Sequence, residues 1–330
     1  MLNTMIKLDN EPAFYFPPAS GRYEVSAGLS PLTRDFGNGQ VDRQIFQFDL
    51  TFQKYRDNKL ACRRERLSKY YQEANLTLTT KTDINTFLIE QLCREHPDKF
   101  IKHYQANTFE LTCRLTGEKF GFNKNYDLTD SEQNSTEVPY TSSLDAIACQ
   151  LQEDIAVIQL DNNQNHLCIL HLCSPNYWGA EEKIGMNFIE AHTLVPHIDK
   201  INRRSESLLQ GVMNKGPYVR FAWGLTTDTR LNHHPKASTG FTMEQWQGRR
   251  FNLNNPRLWL RVERQTLTAL KNSNAILFTI RTYHYDIQQI RHEQRLDQLI
   301  SAIRSMSDKS LLYKGLQHTR DDILAWLEAI

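Results

Sequence analysis

Runs of alternating and continuous apolar residues mark the strands of this chain. Ile155-Ala156-Val157-Ile158-Gln159-Leu160 is followed by the polar stretch Asp161–Asn165 and then by a second apolar run, His166 to Cys173. Two short apolar runs about a polar turn predict an antiparallel pair. Leu258–Leu267 and Ala275–Tyr283, joined through Lys271-Asn272-Ser273-Asn274, predict two further strands. In the first, the period of two places Leu258, Leu260 and Val262 on one face and Arg261, Glu263 and Gln265 on the other. In the second, Ile276, Phe278 and Ile280 oppose Thr279, Arg281 and Tyr283. Tyr218–Leu225, carrying Arg220 and Trp223, reads as another strand, and Phe109–Phe122 alternates about Thr116-Gly117 as a hairpin.

Helical spacing occupies the remaining ordered stretches. Ile45, Phe48, Leu50, Phe52, Tyr55, Leu60 and Leu67 fall among many charges between Asp42 and Tyr71, predicting one or two amphipathic helices. A second helix follows Thr82-Asp83 through Phe87, Leu88, Leu92 and Cys93. Ser143 opens another with Leu144, Ile147, Ala148 and Leu151. Ile198–Met213 is a helix stopped at Asn214-Lys215-Gly216-Pro217. Leu296, Leu299, Ile300 and Ile303 make one stripe near the end, and Thr319 begins a last helix through Ile323, Leu324, Trp326 and Leu327. Prolines and glycines break residues 1 to 40 into a wrapping arm, in which Gly37-Asn38-Gly39 is a turn and no dinucleotide loop. Asp127–Ser142 reads as a polar loop, and 226–256 as a long excursion of the kind that covers a site. The order of elements predicts an α+β fold, an antiparallel sheet packed on one side by helices.

The 330 residues suffice for a substantial core, as one large domain or two smaller ones. Lys plus Arg (39) balance Asp plus Glu (38), so no global field favours nucleic acid or an anionic membrane. The basic cluster Arg63, Arg64 and Arg66 is expected to be a solvated helix face. The N-terminus has no apolar signal region and no stretch approaches the roughly 18 apolar residues of a membrane span, so a cytoplasmic location is expected. Six cysteines carry no CxxC. Cys168 and Cys173 have the opening spacing of a plant-type iron–sulfur motif without its continuation, and read as buried strand thiols. The sequons at Asn75 and Asn134 carry no meaning without secretion.

The chemistry concentrates between Cys173 and His197. Ser174-Pro175-Asn176 ends the preceding strand, because Pro175 cannot donate to a ladder. Trp178-Gly179, the charges Glu181, Glu182 and Lys183, and Gly185 follow; Met186, Phe188, Ile189 and His192 then run at mixed helical spacing until Val195-Pro196. His192 thus sits at the end of a short helical turn, where an imidazole can ligate a metal or a haem iron. A lone histidine beside apolar residues is more commonly a hydrogen-bonded structural residue.

The string from Trp178 through Lys183-Ile184-Gly185 and His192 to Val195-Pro196 resembles the signature of the haem-dependent oxidative N-demethylase-like family, the haem subunit of dimethylamine monooxygenase. Further motifs recur in order: Gly28–Leu32, Glu153-Asp154-Ile155, Arg220 with Trp223, Leu260–Leu267 and Phe278–Tyr283. The similarity spans about Phe14 to Leu299. It implies a single domain over 1–330, made of a PAS-like core over 141–285, an N-terminal arm and helices over 1–140, and C-terminal helices over 286–330. It also implies a haem between the sheet and the crossover carrying His192, with the distal side open to dioxygen. His192 is the implied axial ligand and His197 the alternative; His166, His171, His233 and His234 are expected to be structural or exposed. Arg220, Arg281 and Lys183 are candidate partners of the propionates. Glu263, Trp223 and Tyr283 are candidates for holding a protonated amine, with Arg261 beside them. Arg261, Glu263, Arg264 and Arg281 form either an internal ion network or a site. Ala222 stands where the family pattern leads one to expect asparagine, a departure that bears on how substrate is held.

The activity so implied is monooxygenation of a secondary N-methylamine to a primary amine and formaldehyde. The chain has neither a dinucleotide fingerprint nor a ferredoxin cysteine set, so a separate NADPH-dependent flavin/iron–sulfur reductase is implied. The competing readings are a non-catalytic haem-binding or ligand-sensing PAS-like protein, and a cofactor-free interaction protein on the same scaffold.

Overall fold

The computed structural model describes residues 5–132, 138–161, 164–290, 292 and 294–330. Its strands are β1 (Ser30–Pro31), β2 (Tyr71–Glu73), β3 (Phe100–Gln105), β4 (Thr108–Cys113), β5 (Lys119–Asn123), β6 (Leu128–Glu132), β7 (Asp154–Asp161), β8 (Gln164–His171), β9 (Tyr218–Thr226), β10 (Trp259–Leu270) and β11 (Ala275–Asp286). Helices α1 (Phe52–Tyr70), α2 (Leu78–Glu95) and α3 (Ser143–Ala148) precede β7. Single turns α4 (Ala180–Lys183), α5 (Phe188–Ala191) and α6 (Asp199–Asn202), then α7 (Ser205–Lys215), lie between β8 and β9. The turn α8 (Met243–Trp246) interrupts the excursion, and α9 (Ile287–Ile290), α10 (Arg295–Arg304), α11 (Asp308–Lys314) and α12 (Arg320–Ala329) end the chain.

Seven strands form an antiparallel sheet in the order β1-β9-β10-β11-β7-β8-β2. The two predicted strand pairs, β7–β8 and β10–β11, are both present, although Asn162 and Asn163 of the first turn lie outside the described residues. The expectation that helices cover one side only is corrected. The alternation along β10 and β11 carries buried residues on both faces, so both faces need cover. On one face Leu267, Ile276 and Ile280 pack with Leu209 and Val212 of α7. On the other, Leu260 and Val262 pack with Tyr15 of the arm and with Leu299, Ile303 and Leu327 of α10 and α12. Within β11, β7 pairs with Ala275–Ile280 only, and α1 stands beside the rest of that strand, its Tyr55 hydroxyl donating to the Thr282 carbonyl.

The predicted hairpin is the centre of a second, four-stranded sheet, β3-β4-β5-β6. β6 corrects the reading of 127–142 as loop throughout, and the sequon at Asn134 lies outside the described residues. This sheet shares a core with α2 and the arm through Phe109, Leu111, Phe120, Leu88, Phe46 and Phe48. α2 begins earlier than its apolar pattern suggests, because the Thr77 hydroxyl accepts the Thr80 N–H at 3.1 Å as an N-cap. The helix predicted over 198–213 is divided into α6 and α7.

α1 also departs from its amphipathic pattern, since it buries Arg56, Lys59 and Arg63. Arg56 pairs with Glu118 at 2.5 Å, Lys59 donates to the carbonyls of Ala148 (2.8 Å) and Glu153 (2.5 Å), and Arg63 pairs with Asp145. Only Arg64 and Arg66 of the basic cluster face solvent; Arg63 is a buried partner of a carboxylate far along the chain.

One buried histidine gives this core a pH limit. His96 Nε2 donates to the Phe46 carbonyl at 2.8 Å, and burial pushes its pKa down to about 4. The unfolded chain therefore takes up the proton first, near 6.5. Stability is full above that value and is lost as the pH falls towards 4, by about 3 kcal/mol in all. His96→Phe is expected to flatten this part of a urea-denaturation profile measured against pH; an unchanged slope would assign the loss elsewhere.

Candidate functional site

The crossover after β8 is held by short-range caps. Asn187 Oδ1 accepts the Glu190 N–H and the Glu190 carboxylate accepts the Asn187 N–H, both at 2.9 Å, which closes the single turn α5. The Phe188 N–H donates to Asn165 Oδ1 at 2.7 Å and pins that turn to the start of β8. His192 follows directly, with φ −108° and ψ 6°. Its Nδ1 lies 2.7 Å from the Phe188 carbonyl, and its ring centroid 4.4 Å from that of Phe188. A carbonyl only accepts, so Nδ1 carries the proton and Nε2 keeps its lone pair. Burial, with the charges of Lys183 and Arg220 nearby, holds the imidazole below its ordinary pKa and hence neutral. A neutral histidine whose Nδ1–H is fixed by a carbonyl is the form that ligates a metal.

Lys183 donates to the Ala191 carbonyl and lies 4.9 Å over the Trp178 ring, its pKa lowered by burial. The half-buried side chains of Trp178, Phe188, Tyr218 and Phe278 border the buried cluster formed by α4, α5, α7 and the sheet. Register places the polar residues on this same sheet face. Arg220 lies opposite Gln265, Ala222 opposite Glu263 and Gly224 opposite Arg261; Glu263 faces Thr282 and Gln265 faces Ile280 across β11. Gln265 Nε2 donates to Glu263 Oε2 at 3.1 Å. Arg220 donates to the Ser26 carbonyl at 3.2 Å, but its Nε is buried without a hydrogen-bond partner among the described residues. Its charge acts on both His192 of the crossover and Glu263 of the polar strand positions.

Arg261 ties the excursion to this face. It donates to the carbonyls of Ser174 (2.7 Å), Leu231 (3.2 Å) and Pro175 (3.3 Å), and to His233 Nδ1 at 3.2 Å. A guanidinium only donates, so Nδ1 is the acceptor and Nε2–H donates to Asp228 at 2.9 Å. Burial, helped by the Arg261 charge, pushes the His233 pKa down to about 4. Gly248 closes over this pair; a Cβ there would stand 2.8 Å from His233 Nε2 and 2.6 Å from Asp228 Oδ2.

Two cations that no sequence pattern singled out complete the face. Lys314, at the end of α11, runs over Gly224 and donates to the Trp223 carbonyl at 2.7 Å. Burial pulls its pKa down to about 8, against the attraction of Glu263 and with repulsion from Arg249, Arg261 and Arg220. Arg249, from the excursion, lies 3.1 Å over the Tyr177 ring, its buried Nε without a hydrogen-bond partner among the described residues.

The candidate residues thus separate. His192, Lys183, Arg220, Arg261 and Glu263 gather on one face. Trp223, Tyr283 and Arg281 lie on the other, where Val262 stands opposite both Trp223 and Tyr283, and Arg264 stands opposite Arg281. There Arg281 pairs with Asp49 at 2.6 Å, Tyr283 donates to Gln47, and Trp223 meets Tyr23 edge-on at 5.5 Å. His171, His233 and His234 are buried, His166 is half-buried, and exposed His197 bonds Ser307 at 2.8 Å. Asp145, Cys149 and His171 approach one another within 4.8 Å, but Arg63 already occupies the Asp145 carboxylate. Cys168 and Cys173 are buried. No helix among the described residues is long and apolar enough to cross a membrane.

A family model described as haem-dependent oxidative N-demethylase, alpha subunit-like matches residues 39–324. That span contains the crossover, the three strands of the site face and the excursion folded over them, and the chain therefore belongs to the haem-dependent oxidative N-demethylase alpha subunit-like family.

Proposed function

We propose that this chain holds haem through His192 Nε2 and oxidatively demethylates a secondary N-methylamine, with electrons delivered by a separate reductase. The observation that carries this reading is the hydrogen bond from His192 Nδ1 to the Phe188 carbonyl, which leaves Nε2 as a lone-pair donor. The neighbouring residues fit the group. Half-buried Trp178, Phe188, Tyr218 and Phe278 offer apolar surface to a macrocycle, and Lys183 and Arg220 offer cations to its propionates, the orphaned Arg220 Nε among them.

When bound, haem supplies the one-electron chemistry with dioxygen that side chains lack. The net reaction takes amine, dioxygen, two electrons and two protons to the shorter amine, formaldehyde and water. Glu263 is the carboxylate available on this face for the ammonium of the substrate. Gln265 fixes one of its oxygens, and Arg261 Nε stands 3.8 Å from the other. Arg261 also holds the excursion over the site, which keeps water from the reacting groups.

Purified haem-loaded chain given NADPH, dioxygen and a secondary N-methylamine is expected to release no formaldehyde. Adding a ferredoxin–reductase pair starts release, and carbon monoxide stops it. Glu263→Gln is expected to lower turnover with a melting temperature close to wild type. Bound haem without turnover on any electron donor across a panel of methylamines would make the protein a haem sensor, and a large melting shift with intact turnover would make Glu263 scaffold.

A further inference from the structure

The charges around Glu263 do not suit a small cation alone. Arg220, Arg249 and Arg261 all bear on Lys314, and among the described residues acting with them Glu263 is the carboxylate. Arg261 commits its terminal nitrogens to the carbonyls of Ser174, Pro175 and Leu231 and to His233, and its Nε lies 3.8 Å from the Glu263 carboxylate. Arg220 lies towards His192. Arg249 and Lys314 remain. Arg249 lies 3.1 Å over the Tyr177 ring, and among the described residues its buried Nε has no hydrogen-bond partner and Lys314 makes a single hydrogen bond, to a backbone carbonyl. Two cations brought together without a carboxylate of their own repel each other, and an anion between them removes that cost. Their geometry is specific as well. The guanidinium is seated over the Tyr177 ring, and the lysine stem crosses a residue without a side chain, Gly224, while Ala222 leaves the strand wall beside Glu263 bare.

We infer that Arg249 and Lys314 form a carboxylate-binding subsite beside Glu263, and that the amine taken here carries its own carboxylate, as an N-methylated amino acid does. This rests on the reading of the face as an amine-oxidising haem site. Glu263 then receives the ammonium while the two cations receive the carboxylate, so that a zwitterion is matched at both ends and a bare dialkylammonium at one only. A haem propionate has the same chemistry, and the test separates the two sources.

Haem-loaded chain is titrated calorimetrically with N-methylglycine and with dimethylamine near neutral pH at one ionic strength. N-methylglycine is expected to bind at least about tenfold tighter, about 1.4 kcal/mol. Lys314→Met and Arg249→Gln, each prepared separately, are expected to reduce that preference by about tenfold while the affinity ratio of haem to haem dimethyl ester stays at the wild-type value. Variants that lose the preference for haem over its ester but keep that for N-methylglycine would assign the subsite to a propionate and overturn the substrate class. Variants that move neither ratio would overturn the subsite itself. A wild-type chain that binds no haem defeats the haem reading alone, because N-methylglycine titrated into the apo chain still reports on Arg249 and Lys314.

Discussion

His192→Ala is expected to abolish stoichiometric haem binding, with the Soret band lost and haem affinity reduced by more than about a hundredfold, since removal of a ligand exceeds the tenfold to hundredfold cost of losing its supporting shell. The fold is expected to persist. His192 is half-buried at the end of a single turn, and the hydrogen bond it gives up, to the Phe188 carbonyl, is worth about 1 kcal/mol. His197→Ala serves as the control, because His197 is exposed and bonds only Ser307 in the described structure. Free imidazole added to the His192→Ala chain is expected to restore part of the spectrum by occupying the vacated ligand position. Retention of one haem per chain with an unaltered spectrum would defeat the assignment.

Asp49→Ala is expected to destabilise the chain by about 3–5 kcal/mol, because it leaves the Arg281 guanidinium buried without its carboxylate. Arg281 is fully buried, its Nη2 2.6 Å from Asp49 and its guanidinium 4.0 Å over the Tyr55 ring, and its Nε and Nη1 have no hydrogen-bond partner among the described residues. A loss of that size is a large fraction of the 5–15 kcal/mol typical of a domain, so the urea midpoint falls well below wild type. Haem per folded chain is expected to stay the same, since Arg281 lies across the sheet from His192. An unchanged midpoint with haem lost would return Arg281 to the cofactor.

Much of the large sheet could be read from the chain, because β7, β8, β10 and β11 are long apolar or alternating runs between polar turns. The alternation also placed Arg261, Glu263 and Gln265 together correctly. Alternation within a strand says nothing about which face of its neighbour it meets. That depends on register, and register puts Tyr283 against Val262 and Arg281 against Arg264, away from Glu263. The basic cluster of α1 reads as a solvated face, and Arg63 departs from it, for a related reason. Arg63 finds Asp145 and Arg56 finds Glu118 only after distant segments dock, so their burial has no local signal. β3 and β6 are short and largely polar on their outer faces, and neither shows a period strong enough to mark a strand. His192 stood out through a resemblance, since its own surroundings are those of many structural histidines. Arg249 and Lys314 come from an irregular excursion and a helix end and share no spacing with the residues they join.

The passage of Lys314 over Gly224 is also a constraint on descent. A Cβ at 224 would lie 3.8 Å from Lys314 Cδ and 3.9 Å from Nζ, an ordinary contact, so alanine is tolerated there. A branched or longer residue would occupy the path of the lysine stem. Positions 224 and 314 are therefore expected to covary among relatives: a small residue on the strand accompanies a long cation on the helix, and a bulky residue on the strand accompanies a short one. Lineages that differ in this pair would differ in the charge presented to the ligand, so selection for a new substrate can act on two positions 90 residues apart as though they were one.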